Sequence, residues 1–428
     1  MAQKSKQTQS PKGMHDILPD DQKFWYFVFK KATKIIEEYG FRRIDTPVLE
    51  NTDLFLRSIG EGTDIVEKEI YSLKTKGGDA LSLRPEGTAS VARAYIEHGM
   101  NVWPHPVKLY YSGPMFRHDQ PQAGRFRQFN QIGLESIGEE SSAVDAELIL
   151  VAYKFLESLG FKNIIVKINS IGDQHCRPQY IKALKEFLRS RTKKLCNLCK
   201  NRIKDNVLRI LDCKEADCHS VIMEAPQTVD YLDQTCKSHF KLVLEFLDEV
   251  KIPYLIDPFL VRGLDYYTKT VFEILPEEKE GEKSLTLIAG GRYDRLIDLL
   301  GGPKTSACGW AAGMERIISE IKNLNIYVPE IKSDAKIFVA QLGEAGKRKG
   351  LSLFEQLRDE NIKVVSSLGR DSIKSQLRIA NRLGVKFTLI VGQKEALDGT
   401  VILRDMESGI QETLPTKNIV DIVKKRLK

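Results

Sequence analysis

The sequence predicts an α+β protein of more than one domain, and three observations carry that reading. At 428 residues the chain is too long for one ordinary core. A helical, cysteine-bearing stretch at 172–248 interrupts sequence that otherwise forms strands, as an insertion into a sheet domain would. Beyond residue 335, strand and helix patterns alternate regularly, the mark of a small α/β sheet with parallel pairs. The composition, 42% hydrophobic and 29% charged, is that of a globular chain. No run approaches the ~18–20 apolar residues of a membrane span, which argues against a membrane protein. The polar start MAQKSKQTQSPKG has no apolar signal region, and seven cysteines point to thiols or a metal rather than a disulfide framework. The expected address is the cytoplasm.

The elements follow in order. Residues 1–10 are expected to form a disordered tail. Phe24, Phe27, Val28, Ala32, Ile35 and Ile36 recur at helical spacing over 20–40, where Gly40 stops the run. FRRIDTPVLE (41–50) is extended and broken by Pro47, 142–159 reads as a helix, IIVKIN (164–169) as a strand and 178–190 as a helix. Strand-like pattern resumes at FLVRG (259–263). After the polar linker near 322–334 come strands at 335–342, 362–367, 387–392 and 401–405, with helices at 347–360, 371–384 and 416–427. Between residues 331 and 428 stand 19 basic and 12 acidic residues, so this part holds the whole net charge of +7 and the rest balances. That suits a module that meets a polyanion. In the helix at 371–384, Lys374, Arg378 and Arg382 share one face, which either is simply solvated or contacts phosphates.

The segment MFRHDQPQAGRFRQFNQIGLE (115–135) is richest in chemistry. Its centre has turn residues and its flanks are strand-like, so it reads as a hairpin. Alternation puts Arg125, Arg127, Phe129, Gln131 and Glu135 on one face, and Phe126, Gln128, Asn130, Ile132 and Leu134 on the other. Since Ile132 and Leu134 suit a core, the first face either opens into a cavity or lies on the surface. Arginines, an aromatic and a carboxylate on one face fit a nucleotide with a small amphoteric ligand.

This hairpin resembles motif 2 of the class II aminoacyl-tRNA synthetases, in the form of their histidyl branch. RIDTPVLENTDLF (43–55) resembles motif 1, LRPEGT (83–88) the amino-acid-binding loop, and LVRGLDYYT (260–268) and GGRYD (290–294) the two histidine-specific elements. CGWAAGMERII (308–318) resembles motif 3. The resemblance implies an antiparallel sheet flanked by helices at 11–325, with the helical insertion at 172–248, and an α/β anticodon-binding domain at 333–428. It also implies ATP and L-histidine as substrates with tRNA-His as acceptor, Mg2+ accompanying ATP, and a homodimer built on motif 1.

Residue roles carried by the resemblance follow position by position. Arg117 and Arg262 flank the ATP α-phosphate and are the catalytic pair. Arg125 and Arg316 hold the outer phosphates, and Arg316 and Phe129 sandwich the adenine. Glu86, Thr88 and Gln131 take the histidine ammonium, Glu135, Tyr266 and Tyr267 surround the ring, and Tyr293 closes the pocket. Gln122 contacts the tRNA acceptor end, while Lys374, Arg378 and Arg382 are candidates for further tRNA contact. Gly309 and Gly313 are expected to let the motif 3 backbone pack closely. No metal ligand is assigned. Cys196, Cys199, Cys213 and Cys218, spaced C-x2-C and C-x4-C, are left between a zinc site and reduced structural thiols. The alternative function is a non-charging, synthetase-like histidine-binding regulatory subunit. Such paralogues typically lack the ATP arginines and the C-terminal domain, both of which this sequence keeps by motif.

Overall fold

The computed structural model describes residues 8–60, 63, 65–119, 124–277, 285–330, 335–369 and 371–427. The expected contact residue Gln122 and residues 1–7 of the expected tail lie outside the described residues. The chain divides into two compact units, Met1–Pro329 and Glu330–Lys428.

The first unit contains strands β1 (Arg42–Arg43), β2 (Leu49–Asn51), β3 (Ser72–Lys74), β4 (Ala80–Leu83), β5 (Val107–Phe116), β6 (Gln128–Ile137), β7 (Ile164–Ser170), β8 (Tyr254–Ile256), β9 (Thr268–Pro276), β10 (Ile288–Arg292) and β11 (Ala307–Gly313). Eight of them form one sheet in the order β1-β5-β6-β11-β10-β9-β7-β8. Every pair is antiparallel except the two at the edges, β1 with β5 and β7 with β8. The other three make a small antiparallel sheet, β2-β4-β3.

One face of the large sheet is covered by helices α1 (Gln22–Glu38), α4 (Ser142–Leu159), α8 (Gln234–Glu249) and α10 (Met314–Asn323). The periodicity of α1 buries Val28, Ala32 and Ile36, and Gly40, at φ +82°, ends the run as glycine readily does. Ile132 and Leu134 of β6 point into this core and are fully buried. Gln131 and Glu135 thereby face the opposite side, where α3 (Thr88–Glu97) packs along with α2 (Thr52–Ile59) and the short α9 (Leu296–Leu299).

Three local expectations change. Arg125 and Arg127 precede β6 instead of lying in it, because regular pairing begins at Gln128 opposite Phe116. FLVRG is not a strand: residues 257–267 form an irregular loop, its carbonyls at Pro258 and Leu260 accepting from the Asn169 side-chain amide at 3.2 and 3.0 Å. A turn closed by Leu260 N–H on Asp257 O satisfies backbone that a strand would have paired. Within the helical stretch, α5 (Arg177–Ser190), α6 (Asn197–Asp205) and α7 (Ala216–Ile222) share a core running from Tyr180 to Ala225. Helix α8, included in the expected insertion, buries Phe240, Val243 and Leu247 in the main core against α4, so the segment with its own core is shorter.

The second unit is a five-stranded sheet of order β13-β12-β14-β15-β16, formed by β12 (Ile337–Gln341), β13 (Val364–Ser366), β14 (Phe387–Val391), β15 (Thr400–Asp405) and β16 (Gln411–Pro415). The pairs β12–β13 and β12–β14 are parallel, as the alternation with α11 (Gly343–Asp359) and α12 (Ile373–Leu383) requires. Helix α13 (Gln393–Asp398) and strand β16 were not legible in the pattern; β16 is a polar edge strand with little apolar signal. Helix α14 (Ile419–Leu427) closes the unit, burying Ile419 and Val423.

Candidate active site

The site is built around Glu135, near the C-terminal end of β6 and fully buried. Its side chain has room because its neighbour on β11 is Gly309. A Cβ at Gly309 would lie 1.8 Å from Glu135 Oε2. This glycine therefore does more than the close backbone packing expected of it. Gly313 does less, since a Cβ there would meet only Arg316 carbons at ordinary contact distance. Thr88 Oγ1 donates to Glu135 Oε1 at 2.7 Å, and Tyr293 OH donates to Oε2. Burial pushes the Glu135 carboxyl up to about 8, with Glu86 nearby adding to the rise and the two hydroxyl donors opposing it.

Glu86 sits in the turn before α3, and its two oxygens accept from the backbone N–H groups of Thr88 at 2.7 Å and Ala89 at 2.8 Å. It thus caps a helix N-terminus, which stabilises the carboxylate there. Burial nevertheless raises its pKa, against those two bonds and the charge of Arg117. Tyr266 and Tyr267 end the irregular loop, with ring centroids 4.8 Å apart, and Tyr293 lies edge-on to Tyr266 at 5.6 Å. All three are buried. Tyr293 stands as a hydrogen-bond donor within the site's wall.

Tyr111 was missed in the sequence. It belongs to β5, opposite Gly133, and its ring fills the space in which a Cβ at Gly133 or Gly87 would fall within 2.3 Å. Its phenol pKa is raised by burial and then by Glu135 and Glu86, which places it among the same groups. The only sequence signal was the pair of glycines, whose meaning depends on which side chain fills the gap.

The arginines converge beside this pocket. Arg117 follows β5, donates from Nε to Pro85 O at 2.9 Å, and sits 5.3 Å from the Phe129 ring centroid. Arg262, on the pinned loop, pairs with Glu273 of β9. Glu273 also accepts from Thr286 Oγ1 at 2.7 Å, and the Thr286 carbonyl accepts from Arg316 at 3.1 Å. Arg316, in the first turn of α10, reaches Gly124 O at 3.1 Å, so helix, loop and hairpin are tied together. Arg125 is part exposed and pairs with Asp119 at 3.0 Å. The guanidiniums feel one another: burial lowers the pKa of Arg316, and Arg125, Arg117 and Arg262 lower it further. Four cations held within mutual range, Arg117 and Arg262 both partly buried, make a field that favours a polyanion.

Buried polar atoms in this region without a partner among the described residues include Gln131 Oε1, Arg262 Nε and Tyr111 OH. Buried polar groups are ordinarily satisfied, so a ligand is a natural complement of Gln131 Oε1 and Arg262 Nε. In the second unit, Lys374, Arg378 and Arg382 are all exposed along α12, while Ile373, Leu377 and Ala380 pack onto the sheet.

The histidyl-tRNA synthetase family model matches residues 13–317, and an anticodon binding domain model matches 336–426. A histidine–tRNA ligase from Dehalococcoides mccartyi is 46% identical over 419 residues, covering 98% of this chain and all of that one. The chain belongs to the histidyl-tRNA synthetase family. Another such relative, from Caldicellulosiruptor bescii, is 43% identical over 98% of the chain and 99% of its own length. The crystal structure of apo S. aureus histidyl-tRNA synthetase superposes with a TM-score of 0.78 at 35% identity, covering 97% of this chain and 99% of that one. The fold class expected from the motifs is that of the family, and no helix among the described residues is long and apolar enough to cross a membrane.

Proposed function

We propose that the chain is a histidine–tRNA ligase working through the site just described. The observation that carries this reading is the meeting of Arg117, Arg262 and Arg316 beside a buried Glu135 that holds two hydroxyl donors. ATP and L-histidine react so that the histidine carboxylate oxygen attacks the α-phosphorus, pyrophosphate leaves, and histidyl-adenylate remains. The 3'-terminal adenosine hydroxyl of tRNA-His then displaces AMP.

Arg117 and Arg262 take the α-phosphate, and Arg262 Nε, otherwise unpaired, is one donor for it. As charge builds on the equatorial oxygens, fixed guanidiniums stabilise the transition state more than the ground state. Arg125 and Arg316 take the outer phosphates, and Phe129 and Arg316 enclose the adenine. Glu86 keeps lone pairs beyond its two backbone donors, so with Thr88 and Gln131 it receives the ammonium. Glu135, Tyr266, Tyr267 and Tyr293 read the imidazole, with a proton shared between the ring and the raised carboxyl of Glu135.

Mg2+ accompanies the phosphates rather than residing in the protein. Asp119 and Glu273 already carry arginine partners. The groups of close potential ligands among the described residues include cysteines, a set too soft for this ion. Magnesium would neutralise phosphate charge there.

Gln122 contacts the acceptor end of the tRNA, and the exposed Lys374, Arg378 and Arg382 contact its phosphates. Two copies pair through motif 1, a reading supported by the exposed apolar Val48, just before β2, and Leu49 and Leu73 on the small sheet. The enzyme acts in the cytoplasm, with its tRNA. Histidine-dependent ATP–pyrophosphate exchange, run against all twenty amino acids, tests the function: stimulation by histidine is expected, and none by histidine would end the assignment.

A further inference from the structure

We propose that Cys196, Cys199, Cys213 and Cys218 hold a structural zinc ion that fixes the turn Val207–Asp212 against the loop carrying Arg262 and Tyr266. The four sulfurs, the first and last separated by 22 residues in sequence, lie within 4.8 Å of one another, and none is in a disulfide. Zinc–sulfur bonds of ~2.3 Å in a tetrahedron set sulfurs about 3.8 Å apart, and Cys196 Sγ stands 4.0 Å from Cys213 Sγ. Thiolates around a polynuclear iron–sulfur cluster would have to stand farther apart. The C-x4-C spacing is accommodated because Cys213 ends the turn Val207–Asp212 and Cys218 returns within α7.

The sulfurs also have the supports a thiolate site requires. Cys199 N–H donates to Cys196 Sγ at 3.4 Å, and Cys196 N–H donates to Cys218 Sγ at 3.1 Å. Such backbone donors orient ligand sulfurs and disperse their charge.

A physical need matches the geometry. Helices α6 and α7 have nine and seven residues, too short to persist alone, and the core they share is small. Modules of this size are commonly stapled by a metal. The stretch between the two cysteine arms touches the active-site loop, as does Arg177 of α5, which donates to Tyr267 O at 2.7 Å. Asn206 Nδ2 donates to Asp265 at 3.0 Å, and the Arg209 guanidinium lies where a Cβ at Gly263 would be 2.9 Å from it. Gly263 follows Arg262, and Asp265 precedes Tyr266.

A second group, Asp173, Cys176, Asp233 and Cys236, serves as the internal control. Its carboxylates already accept the backbone N–H groups of His175 and Cys236, at 2.9 and 2.8 Å, as turn and helix caps.

Metal binding stands independently of the proposed function, whereas the positioning clause rests on it, and two measurements keep them apart. Protein produced with zinc in the medium and purified without chelator should carry one equivalent of zinc by elemental analysis. An organomercurial should release that zinc to a chromophoric chelator as four thiols react. Cys196→Ser with Cys213→Ser should lose the metal, and Cys176→Ser should retain it. Less than a tenth of an equivalent in the unmodified protein, iron in place of zinc, or two disulfides among these cysteines would overturn the site. Zinc-stripped enzyme should lose about tenfold or more in the turnover of histidine-dependent exchange and regain it when zinc is restored. Unchanged exchange on stripping would overturn the positioning role while leaving the ligase intact.

Discussion

Replacing Tyr293 with Phe removes one hydroxyl from the wall of the site and leaves its ring in place. That hydroxyl donates to Glu135 Oε2, while Thr88 holds Oε1. A hydrogen bond to a charged group contributes about 1.5–3 kcal/mol. It favours the carboxylate over the acid, so its loss should raise the Glu135 pKa from about 8 by roughly one to two units, at ~1.4 kcal/mol per unit. The alkaline limb set by this group, in the pH profile of kcat/KM for histidine in pyrophosphate exchange, should move by that amount. Glu86→Gln should move it the other way, because the Glu86 charge contributes to the rise. The same carboxyl has a stability signature. Its folded pKa lies above the unfolded value, so the folded state holds the extra proton between the two. Stability is therefore lost as pH rises from the ordinary carboxylate range through about 8. Glu135→Gln, which cannot ionise, should flatten that slope. A Tyr293→Phe profile that stays in place, or moves toward acid, would refute the reasoning.

Arg262→Ala should slow adenylate formation by about a hundred- to a thousandfold, as loss of a transition-state donor does, with histidine binding little changed. A change confined to KM in single-turnover kinetics would contradict it. Gly309→Ala places a methyl 1.8 Å from Glu135 Oε2 and should abolish most histidine activation, whereas Gly313→Ala meets ordinary contacts and should stay near wild type in the same exchange assay. Asp145 pairs with the fully buried Arg292, and although burial alone would raise its pKa, that partner and His239 hold it down to about 2. Asp145→Asn should therefore cost about 3–5 kcal/mol in chemical denaturation. In the wild type, the contribution of this pair should be present above the ordinary carboxylate range and be lost as pH falls through it toward 2.

The alternating pattern of β6 announced its two faces, because a strand buried on one side must put Ile132 and Leu134 together and leave Gln131 and Glu135 opposite. The parallel pairs of the second unit were legible for a similar reason: strands separated by helices cannot return as hairpins. Polar edge strand β16 and the loop around Arg262 were not: β16 has little apolar signal, and the strand-like FLVRG is held as a loop by a partner distant in sequence, the Asn169 side-chain amide.

The sequence by itself determined the family, the fold class and the cast of charged and aromatic residues, because short-range periodicity and local motifs are written in neighbouring positions. Tertiary structure alone decided who meets whom. It set Gly309 beside Glu135, Tyr111 into the gap left by two glycines, Arg262 onto Glu273, and four cysteines into one cluster. Those pairings depend on strand register and loop path, which are fixed by the packing of the whole unit, so no local window of residues contains them.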